Sequence, residues 1–334
     1  PAQITKPFIE AFGSMSPTGF VVTALVIMAG IASMPALLVR SGTTRSVYDM
    51  RKSMGWTVFF VGLIMIGLPA IAVFFRFILL DTAVGAPNDE IPAWFRTLAA
   101  SGFVTVDTNS ASLSLESIRF ARDGVLAGFS IAAGMPTALF FLTIAAALAA
   151  AMAAITANTL VLANMLTDDV IFGAGKLPAA NFPRLVAARM FVSVAVVAGG
   201  VLSLQTSADP LRMFCWGLSL SAAAIFPVLV MSIWWKRITG TAALIGMLTG
   251  FSITLLYIYS LQTSTISPLF GVDDMLAAAI GLPLGAAITV AVSLLGPQPQ
   301  NALLEFVRDL RIPGGETIYD RELRIALNRA REQR

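Results

Sequence analysis

Histidine is absent from the 334 residues, and cysteine occurs once, at Cys215. The first absence removes imidazole from catalysis and metal ligation, and the second excludes an internal disulfide. Charge is scarce too: Asp, Glu, Lys and Arg make up 12% of the chain, against about 25% in a soluble domain. There is no phosphate-binding glycine loop, no Walker pattern and no zinc-ligand spacing. An enzyme or an ATP-driven pump is therefore not expected. No Asp or Glu falls in the middle of a long apolar run, which weakens any proton relay carried by this chain alone. The opening PAQITKPFIE lacks the basic-then-apolar order of a signal peptide.

What is abundant is apolar surface. Hydrophobic residues reach 57% and mean hydropathy is +0.82, more than so few charges can cover in water. The expected class is an all-α, polytopic membrane protein. A bilayer core of about 30 Å needs roughly 20 apolar residues per helix. Seven spans are predicted, near 19–39, 55–80, 136–166, 184–204, 211–235, 239–261 and 275–295. Residues 1–18 form a lead-in, 81–133 a long connection and 297–334 a tail. Gly134-Met135-Pro136 separates a short helix over 125–133 from the third span. Within the connection, IPAWFRTLAA and SLSLESIRFARD read as short amphipathic helices, with Asp107 as an N-terminal signal before the second.

Net charge is +3, and its placement orients the chain. Arg40, Arg45, Arg51 and Lys52 follow the first span; Lys176, Arg184 and Arg189 follow the third; Lys236 and Arg237 follow the fifth. The tail carries seven more arginines, from Arg308 to Arg334. Positive residues concentrate in cytoplasmic segments, so the start is expected outside and the tail inside. The partners expected are the lipid bilayer and a small solute, not nucleic acid.

Polar or helix-breaking residues within lipid are the candidates for function. The first span holds Gly30, Ala32, Ser33 and Pro35 together. Proline removes a backbone donor, so carbonyls near Ile31 and Ala32 lose their usual partners. A packed kink would satisfy them, and so would the interrupted helix of a transporter, whose backbone faces substrate. The third span is rich in small residues and carries Thr143, Thr156, Asn158, Thr159 and Asn164. These oxygens suit Na⁺ or a polar substrate and suit interhelical hydrogen bonds equally.

The segment GIASMPALLVRSGTTRSVYDMRKSMGWTVFF resembles the sodium:solute symporters, especially their acetate-permease branch. Gly30, Ala32, Pro35, Leu38, Arg40, Thr43, Arg51, Lys52, Ser53 and Trp56 fall in register with that family's pattern. A second resemblance lies in AALAAAMAAITANTLVLANMLTDDVI, where Asn164 and Asp169 align. It implies a leucine-transporter-type inverted repeat in a bacterial inner membrane. The first span would be the broken sixth core helix and the third span the eighth. The earlier core helices would then belong to a preceding part of a longer protein, as a first residue of Pro rather than Met also indicates.

By this resemblance the protein is a Na⁺- or H⁺-coupled symporter of a small organic anion such as acetate. Gly30, Ala32, Ser33, Pro35 and Asn158 would contact substrate, and Arg40 and Arg51 would anchor the cytoplasmic end. No cofactor is implied beyond Na⁺. Its ligands would fall at Ala150, Ala153, Ala154 and Thr156, but alanine carries no side-chain oxygen. The ion site is then weakened, moved to Thr156, or absent, and Ala36 stands where the family has histidine. Two other readings remain open: a transporter-like sensory module, and a membrane homologue that no longer transports.

Overall fold

The computed structural model describes residues 16–41, 47–87, 91–106, 118–120, 124–173, 181–205 and 209–297, with single positions at 307, 322 and 325. In chain order the helices are α1 (Pro17–Ala32), α2 (Pro35–Ser41), α3 (Val47–Thr82) and α4 (Ala93–Ala100). Strands β1 (Val104–Val106) and β2 (Ile118–Phe120) follow, then α5 (Gly124–Ala132) and α6 (Thr137–Asn164), which continues as a π-helix over Met165–Phe172. The chain goes on through α7 (Asn181–Gln205), α8 (Pro210–Ala224), α9 (Phe226–Trp234), α10 (Gly240–Gln262) and α11 (Ala278–Leu295).

Among the described residues, six helical runs are long and apolar enough to cross a membrane. The architecture is that of an all-α polytopic membrane protein. Seven spans were expected, and the first of them is divided: α1 has only 16 residues and ends just before Pro35. The expected helix over SLSLESIRFARD is also corrected. Its described residues, Ile118–Phe120, form a strand antiparallel to Val104–Val106. Phe120 packs edge-on against Phe75 at 5.2 Å, so aromatic packing overrides a weak helical pattern. Asp107, Thr43 and nearly all of the expected tail and lead-in lie outside the described residues.

The chain divides into two compact units, one of residues 1–10 and 51–157, the other of residues 11–50 and 158–334. In the first, the end of α3 meets α4, α5 and the two strands around Phe75, Leu79, Phe95 and Leu98, all buried. The rest of α3 and α6 presents apolar side chains outward, as lipid-facing helices do.

In the second unit the strongest pairing is between α10 and α11. Gly246, Gly250 and Thr254 recur every four residues on α10, and Gly281, Gly285 and Thr289 do so on α11. A Cβ on Gly281 would collide with the Thr254 hydroxyl, and one on Gly246 with the Thr289 hydroxyl. Each threonine thus fills the notch opposite it, the small-residue contact by which helices approach closely in lipid. α8 joins this pair by a related device. Pro227 has no N–H to give the carbonyl four residues back, at Ala223. That carbonyl lies where a Cβ of Gly250 would be.

Candidate functional site

The break between α1 and α2 is built from Ser33, Met34 and Pro35. Pro35 cannot donate to Ile31, and the Ile31 carbonyl accepts instead from Met34 N at 3.2 Å. The Ser33 hydroxyl, fully buried, donates back to Ala29 O at 2.7 Å. The Ser33 carbonyl accepts from the Ser221 hydroxyl of α8 at 2.9 Å, and the two hydroxyls are 3.1 Å apart. One turn earlier, a Cβ on Gly30 would stand 2.8 Å from Leu218 O, so only glycine lets α1 come this close to α8. Leu37 N turns to Met34 O, so the Ser33 carbonyl at the break is served by a donor from another helix.

Cavities flank α1 on both sides. One, of about 420 Å³, is almost wholly apolar and is lined by Val22, Ala29, Ala32, Phe226, Ala278 and Pro283 among others. The other, of about 390 Å³, is more polar; Ser16, Thr23, Cys215, Gly271 and Asp273 contribute to its wall. Partial burial and the neighbouring Asp274 push the Asp273 carboxyl above its ordinary range.

Beside the second cavity sits a buried carboxylate that sequence reasoning does not single out. Asp274 is fully buried and accepts four hydrogen bonds. Arg212 donates from Nε at 2.7 Å and from Nη2 at 2.9 Å. Trp216 Nε1 donates at 2.8 Å and Gln262 Nε2 at 2.7 Å. Arg212 and Trp216 stand one turn apart on α8, and Gln262 ends α10. The cluster therefore joins α8, α10 and the start of α11. Oδ2 accepts three of these bonds and Oδ1 one, so the buried charge is both paired and hydrogen-bonded. The signal in the sequence was the Arg-x-x-x-Trp spacing on one helix face together with an Asp at a helix start.

Of the expected substrate contacts, Gly30 and Ser33 are buried at the α1–α8 contact, Pro35 is half-buried at the start of α2, and Ala32 is exposed on the apolar cavity. Asn158 is exposed on α6. The expected sodium positions Ala150, Ala153, Ala154 and Thr156 lie on the stretch of α6 that belongs to the first unit, and all four are exposed. The three alanines offer only methyl groups, and Thr156 Oγ1 donates to Met152 O at 2.8 Å. As a set, these side chains do not fit a sodium ion.

The sequence profile of the sodium:solute symporter family covers 121 residues of this chain. Residues 130–250 match the Sodium:solute symporter family. An uncharacterized symporter of Cupriavidus necator is 32% identical over 322 residues, 92% of this chain and 47% of that protein. The sodium/proline symporter of Haemophilus influenzae is 24% identical over 307 residues, 91% of this chain and 53% of that protein. The osmoregulated proline transporter of Bacillus subtilis is 26% identical over 159 residues, 48% of this chain and 31% of that protein. The chain spans about half the length of the first two relatives. No solved structure gives a significant match. The family is one of transporters, whose coupling ion is a transported partner and not a resident cofactor.

Proposed function

We propose that the chain is the C-terminal part of a secondary transporter that couples an ion gradient to uptake of a small carboxylate-bearing solute by alternating access. The observation that carries this reading is the helix break at Ser33–Pro35, held by Ser221 in a chain that carries the sodium:solute symporter profile. Interrupted helices near the middle of a membrane are where such transporters gather backbone groups around solute and ion. In this reading α1 with α2 is the broken sixth core helix of a leucine-transporter-type repeat and α6 is the eighth. The start faces outside and the tail faces the cytoplasm of a bacterial inner membrane. Gly30, Ala32, Ser33, Pro35 and Asn158 line the solute path.

Two solutes are favoured, each by a different observation. The motif around Pro35 resembles the acetate-permease branch, and two relatives are named for proline. Both molecules carry a carboxylate, so one experiment separates them. The whole protein is reconstituted in liposomes, and uptake of labelled acetate and of labelled proline is followed with a Na⁺ gradient, a proton gradient, or neither. Gradient-driven uptake of one, blocked by excess of the same unlabelled solute, is expected. Uptake of neither solute under any gradient overturns the reading. It would leave the non-transporting homologue, which the methyl groups at Ala153 and Ala154 favour.

A further inference from the structure

We propose that residues 163–173 form a register switch, an element poised between a π-helical and an α-helical state, at the end of α6. The first observation is the π-helix itself. An i→i+5 turn is rare, is found mostly as a single widened turn, and is frequent at functional sites. Here it runs for eight residues, Met165–Phe172.

The second observation is Thr167. Many threonines on the described helices return their hydroxyls to the carbonyl four residues back. Thr23, Thr57, Thr156, Thr249, Thr254 and Thr289 all do so, at 2.7–2.9 Å, and Thr143 returns its own to the carbonyl three back. Thr167 is only 2% exposed, yet among the described residues its hydroxyl has no partner. In an α-register the same bond would reach the carbonyl of Ala163, itself fully buried. The widened turn denies it. The unpaired hydroxyl therefore favours return to the α-register.

Two further features hold the π-register. Arg184, on the first turns of α7, donates to Asp168 Oδ1 from Nε at 3.1 Å and from Nη2 at 2.8 Å. Its guanidinium also lies 5.9 Å from the Phe172 ring centroid, so one side chain grips residues on either side of the widened turn. Gly173 closes the turn. A Cβ there would stand 2.5 Å from Asp168 O and 2.9 Å from Asp169 O. Its φ of −79° is open to any residue, so the need for glycine comes from these carbonyls alone.

The two states differ by one residue of register. In helical geometry that is a rotation of about 100° and an advance of about 1.5 Å. The stretch 158–164 would turn relative to α7 by that amount, carrying Asn158 with it. On the proposed transport reading, Asn158 is a solute contact, and the switch would present or withdraw it. The switch itself does not depend on that reading.

The test reads geometry and not transport. The whole protein, with Cys215→Ala and any cysteine outside these 334 residues also replaced, carries nitroxide labels on Leu162→Cys and Met190→Cys, both exposed positions, and distances are measured by double electron–electron resonance. Two distance populations are expected. Thr167→Val removes the unpaired hydroxyl at constant volume and should raise the π-population ratio by about fivefold. Gly173→Ala and Arg184→Gln should each shift it the opposite way. If Arg184→Gln does not fold, the opposed pair Thr167→Val and Gly173→Ala still decides. One unchanged distribution in all variants, or shifts in the same direction, overturns the switch. Uptake measured on the same samples separates this result from the transport reading.

Discussion

Asp274 shows how much a single buried charge can organise. Its carboxylate is shut off from solvent while the Arg212 side chain keeps 39% of its exposure, so the ion pair is asymmetric. Removing the arginine strands a buried anion with only Trp216 and Gln262 as donors. Breaking such a pair from one side costs roughly 3–5 kcal/mol. Arg212→Ala should therefore lower the thermal unfolding midpoint in detergent by many degrees. Arg212→Lys should recover only part, because one ammonium cannot reproduce the two-nitrogen grip. Equal stability of Arg212→Ala and the parent would mean the charge is relieved by water. Reasoning from sequence does not single out Arg212, Asp273 or Asp274. It could not see them converge, because 62 residues separate the donor from the acceptor.

At the scale of elements, the fold was legible wherever a long apolar run was bounded by charge or proline. α6, α7, α10 and α11 arise from such runs, and the short helix before Gly134-Met135-Pro136 does as well. The break in α1 was legible from Pro35 alone. Its resolution was not, since nothing in the local sequence names Ser221 as the donor. The strand at Ile118–Phe120 was illegible for a related reason: its partner is fixed by an aromatic cluster and not by alternation. The notched α10–α11 pair makes a sharp comparison possible. Gly281→Leu must displace Thr254 and should abolish folded protein in a size-exclusion assay. Gly200→Ala on α7 meets nothing within 4 Å and should be neutral or stabilising by up to about 1 kcal/mol. Similar losses at both sites would show that α7 is covered in the native protein.

For the whole molecule, the proposed transport turns on how an ion would be coupled. The family match points to a cation, and the methyl groups of Ala150, Ala153 and Ala154 withhold the oxygens such an ion needs. Restoring hydroxyls with Ala153→Ser and Ala154→Thr should lower the half-saturating sodium concentration for uptake by about tenfold, equivalent to roughly 1.4 kcal/mol. No change would show that these positions never held the ion. The resemblance was readable because a proline, an arginine and a basic run keep fixed spacing along one segment. The ion chemistry was unreadable because it depends on oxygens contributed from separate parts of the chain.

The polar cavity beside α1 has a practical consequence. Its wall includes Cys215, the sole thiol among these 334 residues. Within this chain a maleimide fluorophore would therefore attach at one address, against the helix whose interruption matters most. Its emission would change if α1 and α8 part during the working cycle. This stretch of chain thus carries its own attachment point for an optical gauge of α1 against α8.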